Sequence, residues 1–548
     1  MSLPKTDPRD VPEETARIAK AAFPKGNLAM HLRTELRGIY QDELFADLYP
    51  TRGKPAEAPW RLALVTVLQF AEDLSDREAA LAVKARLDWK FALGLELTDT
   101  GFEHAVLSKF RKRLIEGKAE HRLLDALLAA CQAKKLIRKR GQARTDSTHV
   151  LAKVRALNRP GSCIESMRAA LNTVAVAAPE WLKSWVPEAW FKRYGPRYDD
   201  FRLPKGAEQF NALLLEVGED GLLLLNKLYE PEAPAYLAEL SAVEFLRQKW
   251  LQQYWLDEGK LAYRDHKDLP PTSLMLTSPY DPEARLGSKR SERWTGYKVH
   301  VTETCDTDKV ELISHVETSA PNRHDNQLIP SIHQALQRKQ LLPKEHLVDA
   351  GYMDGELLVD SLRDYGVRLH GPLPANTSWQ AQTEGAFDVN DFAIDWEAEQ
   401  VSCPGAKTSR SWRQRKDQRN DHPFICANFS RADCSPCPLR QHCTRSKTSP
   451  RSLVFKPKER QEALEAARQA EQTPAWQEIY KQRSGIEGSL SQGVRAFGLR
   501  RSRYFGQAKT HFQHQAIATA VNVTRLAAWF EDKPRAKTRV SRFARLAA

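Results

Sequence analysis

The spacing of apolar and polar residues predicts helices in the first part of the chain. Residues 58–70 are rich in Leu, Val and Ala, as expected of a buried helix. Residues 75–78 (SDRE) have the spacing of a capping box, which predicts that a second helix begins there. Residues 100–103 (TGFE) repeat this spacing and predict the start of a third helix. We therefore expect residues 27–130 to form helices with short breaks.

The helical pattern returns after a strand-like stretch at 143–152 and continues over residues 156–289. We expect an inserted helical subdomain there, with tryptophans in its core rather than in a functional site. These are Trp181, Trp185, Trp190, Trp250 and Trp255.

The pattern changes to alternating strands near residue 294. Residues 294–304 (WTGYKVHVTET) and 310–318 (VELISHVET) alternate as strands do. A helix at 325–340, a strand at 346–348, a helix at 355–365 and a strand at 367–370 follow, and 476–530 is helical again. This order of elements predicts an α/β fold.

Length and composition exclude several classes of protein. A chain of 548 residues is too long for one hydrophobic core, so we expect three or four domains. The longest apolar stretch, residues 213–228, is broken by five polar residues, and the N-terminus lacks an apolar signal core. Eight cysteines are too few for a disulfide scaffold. We expect a cytoplasmic protein without a membrane span.

The charge indicates a polyanionic partner, most simply nucleic acid, although an ordinary basic soluble protein would have a similar balance. The formal net charge is +13, from 83 basic and 70 acidic residues. Residues 404–460 alone hold 14 Lys and Arg against 4 Asp and Glu. The third predicted helix carries Lys109, Arg111, Lys112 and Arg113, which suits a DNA-reading helix but also an ordinary solvated face.

Three acidic residues stand out by context. Asp146 lies within the strand-like stretch, and Asp349 follows the apolar pair at 347–348, at the C-terminal end of a strand. Glu487 is the only acid among seven basic residues in 480–510. Tyr480, Arg483 and Glu487 have the spacing of one helix face. Three carboxylates are the hard ligands that two Mg²⁺ ions about 3.5–4 Å apart need to cut a phosphodiester. The nearby Asp354 and Glu356 are expected to be surface charges or helix-start acids.

Five of the cysteines lie between 403 and 443. Cys434 and Cys437 form a C-x2-C pair, with Cys443 after it and Cys403 before it. Four thiolates would make a closed structural Zn²⁺ site, which leaves no open position for hydrolytic water. Unliganded thiols are the competing interpretation, and the sequence leaves Cys426, His422 and His442 as alternative ligands.

Several of these segments resemble DDE transposases of bacterial insertion sequences, and within them the eleven-eighty-two insertion-sequence family. They are residues 144–149 (RTDSTH), 281–289 (DPEARLGSK), 294–300 (WTGYKVH), 349–352 (DAGY) and the Tyr480-x2-Arg483-x3-Glu487 pattern. Residues 27–116 resemble the helical N-terminal domain of the same transposases, related to InsH. The cysteine segment is similar to the family pattern around Cys403, Cys434, Cys437 and Cys443, which favours those four as zinc ligands.

The resemblance implies a ribonuclease H-like catalytic core with Asp146, Asp349 and Glu487 as the DDE triad, holding two Mg²⁺ or Mn²⁺ ions. It also implies that Tyr480 and Arg483 touch the transposon end. The family has a basic residue seven positions after the glutamate, where this chain has Val494. Arg495, one position later, is the candidate phosphate contact, and Lys298 of the WTGYKVH segment is another.

The expected function is cleavage and joining of double-stranded DNA, at inverted-repeat ends and at a target, by a homodimer in the bacterial nucleoid. The alternative is a transposase-derived DNA-binding protein without catalysis. The predicted organisation is an arm (1–26), a helical DNA-binding domain (27–135), a catalytic core (136–155, 290–374 and 474–530), a helical insertion (156–289), a basic zinc insertion (375–473) and a basic tail (531–548).

Overall fold

The computed structural model describes residues 2–3, 10–198, 204, 206–289, 291–374, 376–418, 421–533, 543 and 546, which form two units. Unit 1 contains residues 1–138, 146–323 and 486–548, and unit 2 contains residues 139–145 and 324–485. Most of the predicted basic tail lies outside the described residues. No helix of the described part is long and apolar enough to cross a membrane.

The N-terminal part of unit 1 is helical, as predicted. The capping box at 75–78 is present with both of its hydrogen bonds. The second capping box is wrong: Gly101 has a φ of +67°, so the chain turns there and the next helix begins only at Ala105. A helix also forms inside the predicted arm. The helices are α1 (Glu13–Ala22), α2 (Leu28–Glu35), α3 (Pro59–Ala71), α4 (Asp76–Ala85), α5 (Leu87–Leu93), α6 (Ala105–Glu116) and α7 (Arg122–Ala133), with a 3-10 helix at Asp42–Leu48.

Strand β1 (Gln142–Leu151) precedes the helical insertion. The insertion contains α8 (Arg159–Ala177), α9 (Pro179–Lys183), α10 (Glu188–Tyr194), α11 (Ala207–Leu228), a 3-10 helix (Ala235–Glu239) and α12 (Ser241–Gln253). A hairpin not expected from the sequence follows, with β2 (Tyr254–Asp257) and β3 (Lys260–Tyr263), and then a short 3-10 helix (His266–Asp268). Trp190 and Trp250 are buried in the insertion core, Trp181 and Trp185 pack against it, and Trp255 is exposed.

The strands predicted from residue 294 onward are present in unit 1. Strands β4 (Arg285–Lys289), β5 (Glu292–Thr304) and β6 (Ile313–Ser319) are antiparallel, and β5 pairs with both of its neighbours. The N–H of Ala152, just after β1, donates to the carbonyl of Thr295 on β5 over 3.0 Å. Gly296 makes this approach possible, because a Cβ there would lie 2.1 Å from the carbonyl oxygen of Val150.

Two C-terminal helices pack on this sheet, α20 (Gly485–Ala496) and α21 (Gln507–Phe530). A buried ion pair holds them: Arg525 of α21 lies 2.8 Å from the fully buried Glu303 of β5. Ser489 of α20 donates to the same carboxylate over 2.6 Å, and Arg525 donates to Gln492 of α20 over 3.1 Å. Both helices are therefore fixed on one buried carboxylate.

Unit 2 contains a parallel arrangement of strands. The first residues of β1 pair with β7 (Glu345–Leu347), and β7 pairs with β8 (Arg368–His370), both in parallel. The helices between them are a 3-10 helix (Asp325–Leu328), α13 (Ile329–Arg338), a 3-10 turn (Ala350–Tyr352) and α14 (Gly355–Tyr365). These bounds agree with the predicted strands and helices to within about three residues.

The basic insertion of unit 2 has its own small core around Val401, Ile425 and Ala427. It contains short strands as well as helices, and the sequence did not predict these strands. The elements are α15 (Trp379–Gln382), a 3-10 turn (Val389–Asp391), β9 (Ala393–Asp395), β10 (Gln400–Ser402), β11 (Ser411–Lys416), β12 (Pro423–Asn428), α16 (Arg431–Cys434), α17 (Arg440–Cys443), β13 (Ser452–Phe455), α18 (Lys458–Glu471) and α19 (Pro474–Lys481).

The predicted continuous helix through Tyr480 and Glu487 is wrong. Helix α19 ends at Lys481, a 3-10 turn occupies Gln482–Ser484, and α20 begins at Gly485. A 3-10 turn has 3.0 residues per turn rather than 3.6, so the argument that placed Tyr480, Arg483 and Glu487 on one helix face fails.

This break in the helix is held by the buried Arg144 of β1. Its guanidinium donates to the carbonyl of Gln482 over 2.7 Å, within unit 2. It also lies against the backbone of Gly485, where a Cβ would come within 2.1 Å of Arg144 Nη1. The absence of a side chain at residue 485 is thus a condition for the contact between β1 and the turn.

A first prediction concerns Gly485. Gly485→Ala should displace Arg144 and cost about 2 kcal/mol of unfolding free energy, the worth of a hydrogen bond from a charged donor. Gly488→Ala is the matched control: it lies on α20 with open space around its Cβ, so alanine should stabilise by about 0.5–1 kcal/mol. Chemical denaturation of both variants checks this, and equal effects would show that Arg144 does not restrain the turn.

A second prediction concerns buried histidines in unit 2. His346 of β7 contacts Thr145 Oγ1 at 2.7 Å and His333 of α13 at 2.9 Å. Burial lowers the pKa of His333 to about 4, and burial, reinforced by His333 and His370, holds the pKa of His346 well below its usual value. Below about pH 6.5 the unfolded chain binds protons on these two histidines, whereas the folded chain keeps them neutral. Their contribution to the free energy of unfolding is therefore fully present above that pH and is lost as the pH falls.

The free energy of unfolding should therefore drop by about 2 kcal/mol for each of these two histidines, about 4 kcal/mol for the pair, between pH 7 and pH 5. His333→Gln should flatten the pH dependence, whereas His324→Gln, at an exposed position, should leave it unchanged. Denaturant titrations at the two pH values measure this, and an unchanged slope in His333→Gln would contradict the assignment.

Candidate active site and cysteine cluster

Asp146 lies in the buried central part of strand β1. Residues 144–148 of β1 are less than 9% exposed, and Asp146 itself is 8% exposed. Its Oδ1 accepts a hydrogen bond from the N–H of Ser147 over 2.7 Å. Thr148 and Val150, which follow it, are β-branched and suit a strand. The strand therefore presents a carboxylate at a buried, geometrically restrained position of unit 1.

Glu487 lies in unit 1, at the third position of α20, and its side chain is exposed. Ser489, two residues further on, is the α20 residue that donates to the buried Glu303. The ion pair between Glu303 and Arg525 thus restrains the first turns of α20. A carboxylate near a helix N-terminus is also stabilised by the helix dipole. Glu487 is accordingly an exposed carboxylate on a helix whose position is held by hydrogen bonds to Glu303.

Asp349 lies in unit 2, directly beyond β7, and is half-buried. Its Oδ1 accepts from the N–H of Gly351 over 2.9 Å and so caps the 3-10 turn that follows. Asp349 has no ion-pair partner among the described residues. A Cβ on Gly351 would lie 3.1 Å from Asp349 Oδ1 and 3.4 Å from Asp325 Oδ2. No pattern in the sequence pointed to this second carboxylate, because Asp325 has the position of a helix-start acid.

The two acids expected to be surface charges or helix-start acids differ from one another. Asp354 caps α14 and accepts from the N–H of Glu356 over 3.1 Å, as predicted for a helix-start acid. Glu356 also lies in the first turn of α14, as predicted for a helix-start acid, but it is not a surface charge, since its side chain is 5% exposed. It lies 3.2 Å from Lys456 and forms an ion pair with Arg460. Glu356 therefore links α14 to the basic insertion within unit 2.

The basic residues of α6 also divide into two kinds. Arg111 is paired with Asp76 at 2.7 Å, has a side chain 11% exposed, and lies 4.6 Å from the ring centre of Tyr504. Arg113 donates to the carbonyl of Leu48 over 3.0 Å. Arg111, predicted as a DNA contact, and Arg113 therefore both join elements inside unit 1. Lys112 is exposed, with Glu116 at 3.5 Å.

The other predicted DNA contacts have the following surroundings. Tyr480 stacks on Trp476 of the same helix, with ring centres 4.6 Å apart, in unit 2. Arg483 belongs to the 3-10 turn after it. Arg495 is exposed in the last turn of α20, and Lys298 Nζ donates to the carbonyl of Arg323 over 3.2 Å, both in unit 1.

The four favoured cysteines line one cavity of about 30 Å³ in unit 2. Cys403 follows β10, Cys434 ends α16, and Cys437 and Cys443 complete the lining together with Arg440 and Arg451, among others. Burial, opposed by the charge of Arg451, raises the pKa of the Cys443 thiol, and the three other thiols add to the increase. The four sulfurs are thus electrostatic neighbours.

The alternative ligands lie elsewhere. Cys426 lies on β12, and its sulfur is 3.4 Å from Ser452 Oγ. His422 lies 3.9 Å from Glu356. The ring of His442 packs against the ring of Phe387. None of the eight cysteines forms a disulfide. No group of three or more His, Cys, Asp or Glu side chains in the described part of the chain has an arrangement ready to hold a metal ion.

Two families match parts of the chain. Residues 402–527, which include Glu487 and the four cysteines, match the family described as a transposase DDE domain. Residues 18–113, most of the N-terminal helices, match the family described as a transposase domain (DUF772). No curated protein matches the chain. The chain thus carries matches to two transposase domains, which together cover less than half of its residues.

Proposed function

We propose that this protein binds the ends of an insertion sequence and cuts and joins DNA strands through a DDE triad of Asp146, Asp349 and Glu487. The observation that carries the proposal is the position of Glu487: it lies inside the matched DDE domain, exposed, on a helix fixed by a buried ion pair. Within this proposal the chain belongs to the eleven-eighty-two insertion-sequence family and its N-terminal domain is InsH-like.

The triad residues fit divalent metal in their chemistry. All three are carboxylates, the ligands that Mg²⁺ and Mn²⁺ prefer, and Asp349 lacks a cationic partner among the described residues. Two bound ions would activate the attacking oxygen and stabilise the leaving oxygen at the phosphorus. The chain itself restrains the acids: Ser147 and Gly351 N–H groups orient Asp146 and Asp349, and Ser489 restrains the helix of Glu487.

The proposed core is ribonuclease H-like and combines β1, β5, β6, β7 and β8 with helices α13, α14, α20 and α21. Antiparallel pairing of β5 with β6 and parallel pairing of β1 with β7 and of β7 with β8 support it. The helical and basic insertions leave this core after β1 and after β8.

The DNA partner would be held by the basic surfaces of 27–140, 404–460 and 480–510, with Lys112, Lys298, Tyr480, Arg483 and Arg495 among the contacts. Joining two element ends calls for two copies of the chain, so we propose a homodimer on DNA in the bacterial nucleoid. Because many lysines and arginines would displace counterions, the affinity should fall steeply with salt.

We further propose a structural Zn²⁺ bound by Cys403, Cys434, Cys437 and Cys443. The four line one cavity of about 30 Å³, room for a single water-sized particle, and thiolates are preferred zinc ligands. The described side chains do not already form a liganding group, so the proposal requires the sulfurs to close in on the ion.

The third prediction tests the triad. Asp146→Asn, Asp349→Asn and Glu487→Gln keep the side-chain shapes but each removes a charged oxygen ligand, so each should lower strand cleavage by at least about 1,000-fold while leaving DNA binding intact. The measurement is Mg²⁺- or Mn²⁺-dependent nicking of a plasmid that carries the DNA flanking the gene, alongside gel-shift binding.

Two substitutions control this experiment. Asp354→Asn should keep cleavage, because asparagine caps a helix as well as aspartate does. Glu478→Gln, on exposed α19, should also keep it. Glu356 is unsuitable, because its removal leaves Arg460 and Lys456 without their buried partner. Wild-type protein that binds these DNA ends but never nicks them would instead favour a DNA-binding protein derived from a transposase.

The fourth prediction concerns zinc. Freshly purified protein should contain about one Zn²⁺ per chain, and Cys434→Ser or Cys437→Ser should remove most of it and lower the melting temperature. Cys426→Ser is the matched control, because Cys426 lies on β12 outside the cavity, and it should retain zinc. Metal analysis of wild-type protein without zinc would refute the assignment.

A further inference from the structure

Arg500 occupies a distinctive position beside strand β1, within unit 1. Its carbonyl accepts from the N–H of Leu151 over 2.8 Å, and the N–H of Ser502 donates to the carbonyl of Leu151 over 2.9 Å. The segment 500–502 thus extends the sheet as a short parallel neighbour of β1, with a bridge between Leu151 and Arg501. The backbone of Arg500 is therefore fixed relative to the strand that carries Asp146.

The side chain of Arg500 lies along the same strand. Its Nε donates to Thr148 Oγ1 over 2.7 Å. Thr148 and Asp146 are two positions apart, so they share one face of β1 at a spacing of roughly 6.6 Å. Arg500 is itself exposed, whereas Thr148 and Asp146 are 6% and 8% exposed. The guanidinium accordingly rests at the solvent edge of the Asp146 face.

The pairing of Arg500 differs from that of the structural arginines. Arg111 and Arg525 each neutralise a carboxylate, Asp76 and Glu303. Arg500 is bonded to a neutral hydroxyl, and its Nη1 and Nη2 have no partner among the described residues. The hydrogen bond from Nε therefore orients the guanidinium of Arg500. Its Nη1 and Nη2 can still donate hydrogen bonds to an anion, and its positive charge is not neutralised by a carboxylate.

We propose that Arg500 donates hydrogen bonds to the non-bridging oxygens of the phosphodiester that is cut, with Thr148 as its positioning residue. A planar guanidinium with two free nitrogens matches two oxygens of a phosphate. Negative charge on those oxygens increases during displacement at phosphorus, and a donor fixed beforehand stabilises it without reorganising. The inference rests on the proposed function, because it takes the phosphate to lie at Asp146.

The test uses the full-length protein, Mn²⁺ and a supercoiled plasmid carrying the DNA that flanks the gene on both sides. Arg500→Gln should lower the nicking rate about 100-fold, as expected for the loss of one such donor. Arg500→Lys keeps the charge but loses the fork and should lie between Arg500→Gln and wild type. Arg338→Gln removes an exposed arginine of α13, outside the proposed DNA surfaces, and should nick at the wild-type rate.

Two further measurements separate phosphate contact from a structural role. Methylguanidinium added to Arg500→Ala should restore nicking at least about tenfold, which no repair of folding would explain. Thr148→Val keeps the shape of the side chain but removes the acceptor, and should lower nicking with an unchanged melting temperature.

The outcomes distinguish the two proposals. If wild type nicks, Asp146→Asn does not, and Arg500→Gln stays within threefold of wild type, the assignment of Arg500 is overturned while the triad stands. The same holds if Arg500→Gln is slow but methylguanidinium gives no rescue to Arg500→Ala. If wild type shows no metal-dependent nicking, or Asp146→Asn nicks as well as wild type, the proposed function itself fails.

Discussion

The buried ion pair between Glu303 and Arg525 is the interaction on which the candidate site in unit 1 depends. A carboxylate removed from water is tolerable only when its oxygens are paired and hydrogen-bonded, and here Arg525 and Ser489 supply those partners. Removing one member would leave a buried charge, a cost of about 3–5 kcal/mol. Because hydrogen bonds are directional, the pair fixes α20 and α21 on β5 in one arrangement. Glu487 and the segment of Arg500 follow that arrangement.

Whether an arginine of this basic chain joins elements of the fold or is available to DNA depends on the group that its guanidinium contacts. Arg111 sits between an aspartate and a tyrosine ring, and Arg144 against a glycine backbone, so their charges are used to join elements. Arg500 is held by a hydroxyl that takes none of its charge. A basic net charge predicts a polyanionic partner in general, but the partner of each guanidinium decides whether it is available to DNA.

Unit 2 relies on burial in a different way. His333 and His346 are kept neutral by the apolar surroundings and by one another, so they act as hydrogen-bonding core residues. Glu356 is the opposite case, an acid kept between Lys456 and Arg460. The four thiols around a small cavity are a third arrangement, in which like groups converge and a cation would relieve their mutual repulsion on ionisation.

The sequence by itself determined the features that depend on near neighbours. The strand at 294–304, the helix at 355–365 and the capping box at 75–78 all formed. Each was predictable because its signal lies in the spacing of residues only a few positions apart. Residue chemistry singled out Asp146, Asp349, Glu487 and the cysteine segment, and the domain matches support the class of protein. The second capping box failed where Gly101 adopted a left-handed turn, a backbone choice that the spacing of polar residues does not encode.

Only the tertiary structure decided which polar residues form ion pairs and hydrogen bonds with one another. Arg111 and Glu356 look like surface charges in the sequence, yet their partners lie 35 and about 100 residues away. The helix through Tyr480 is broken by an arginine 338 residues earlier in the chain, and Arg500 is oriented by a threonine 352 residues away. Periodicity reports which face of an element avoids water. It carries no information about which distant group satisfies a buried charge, and that pairing is what places the side chains of this site.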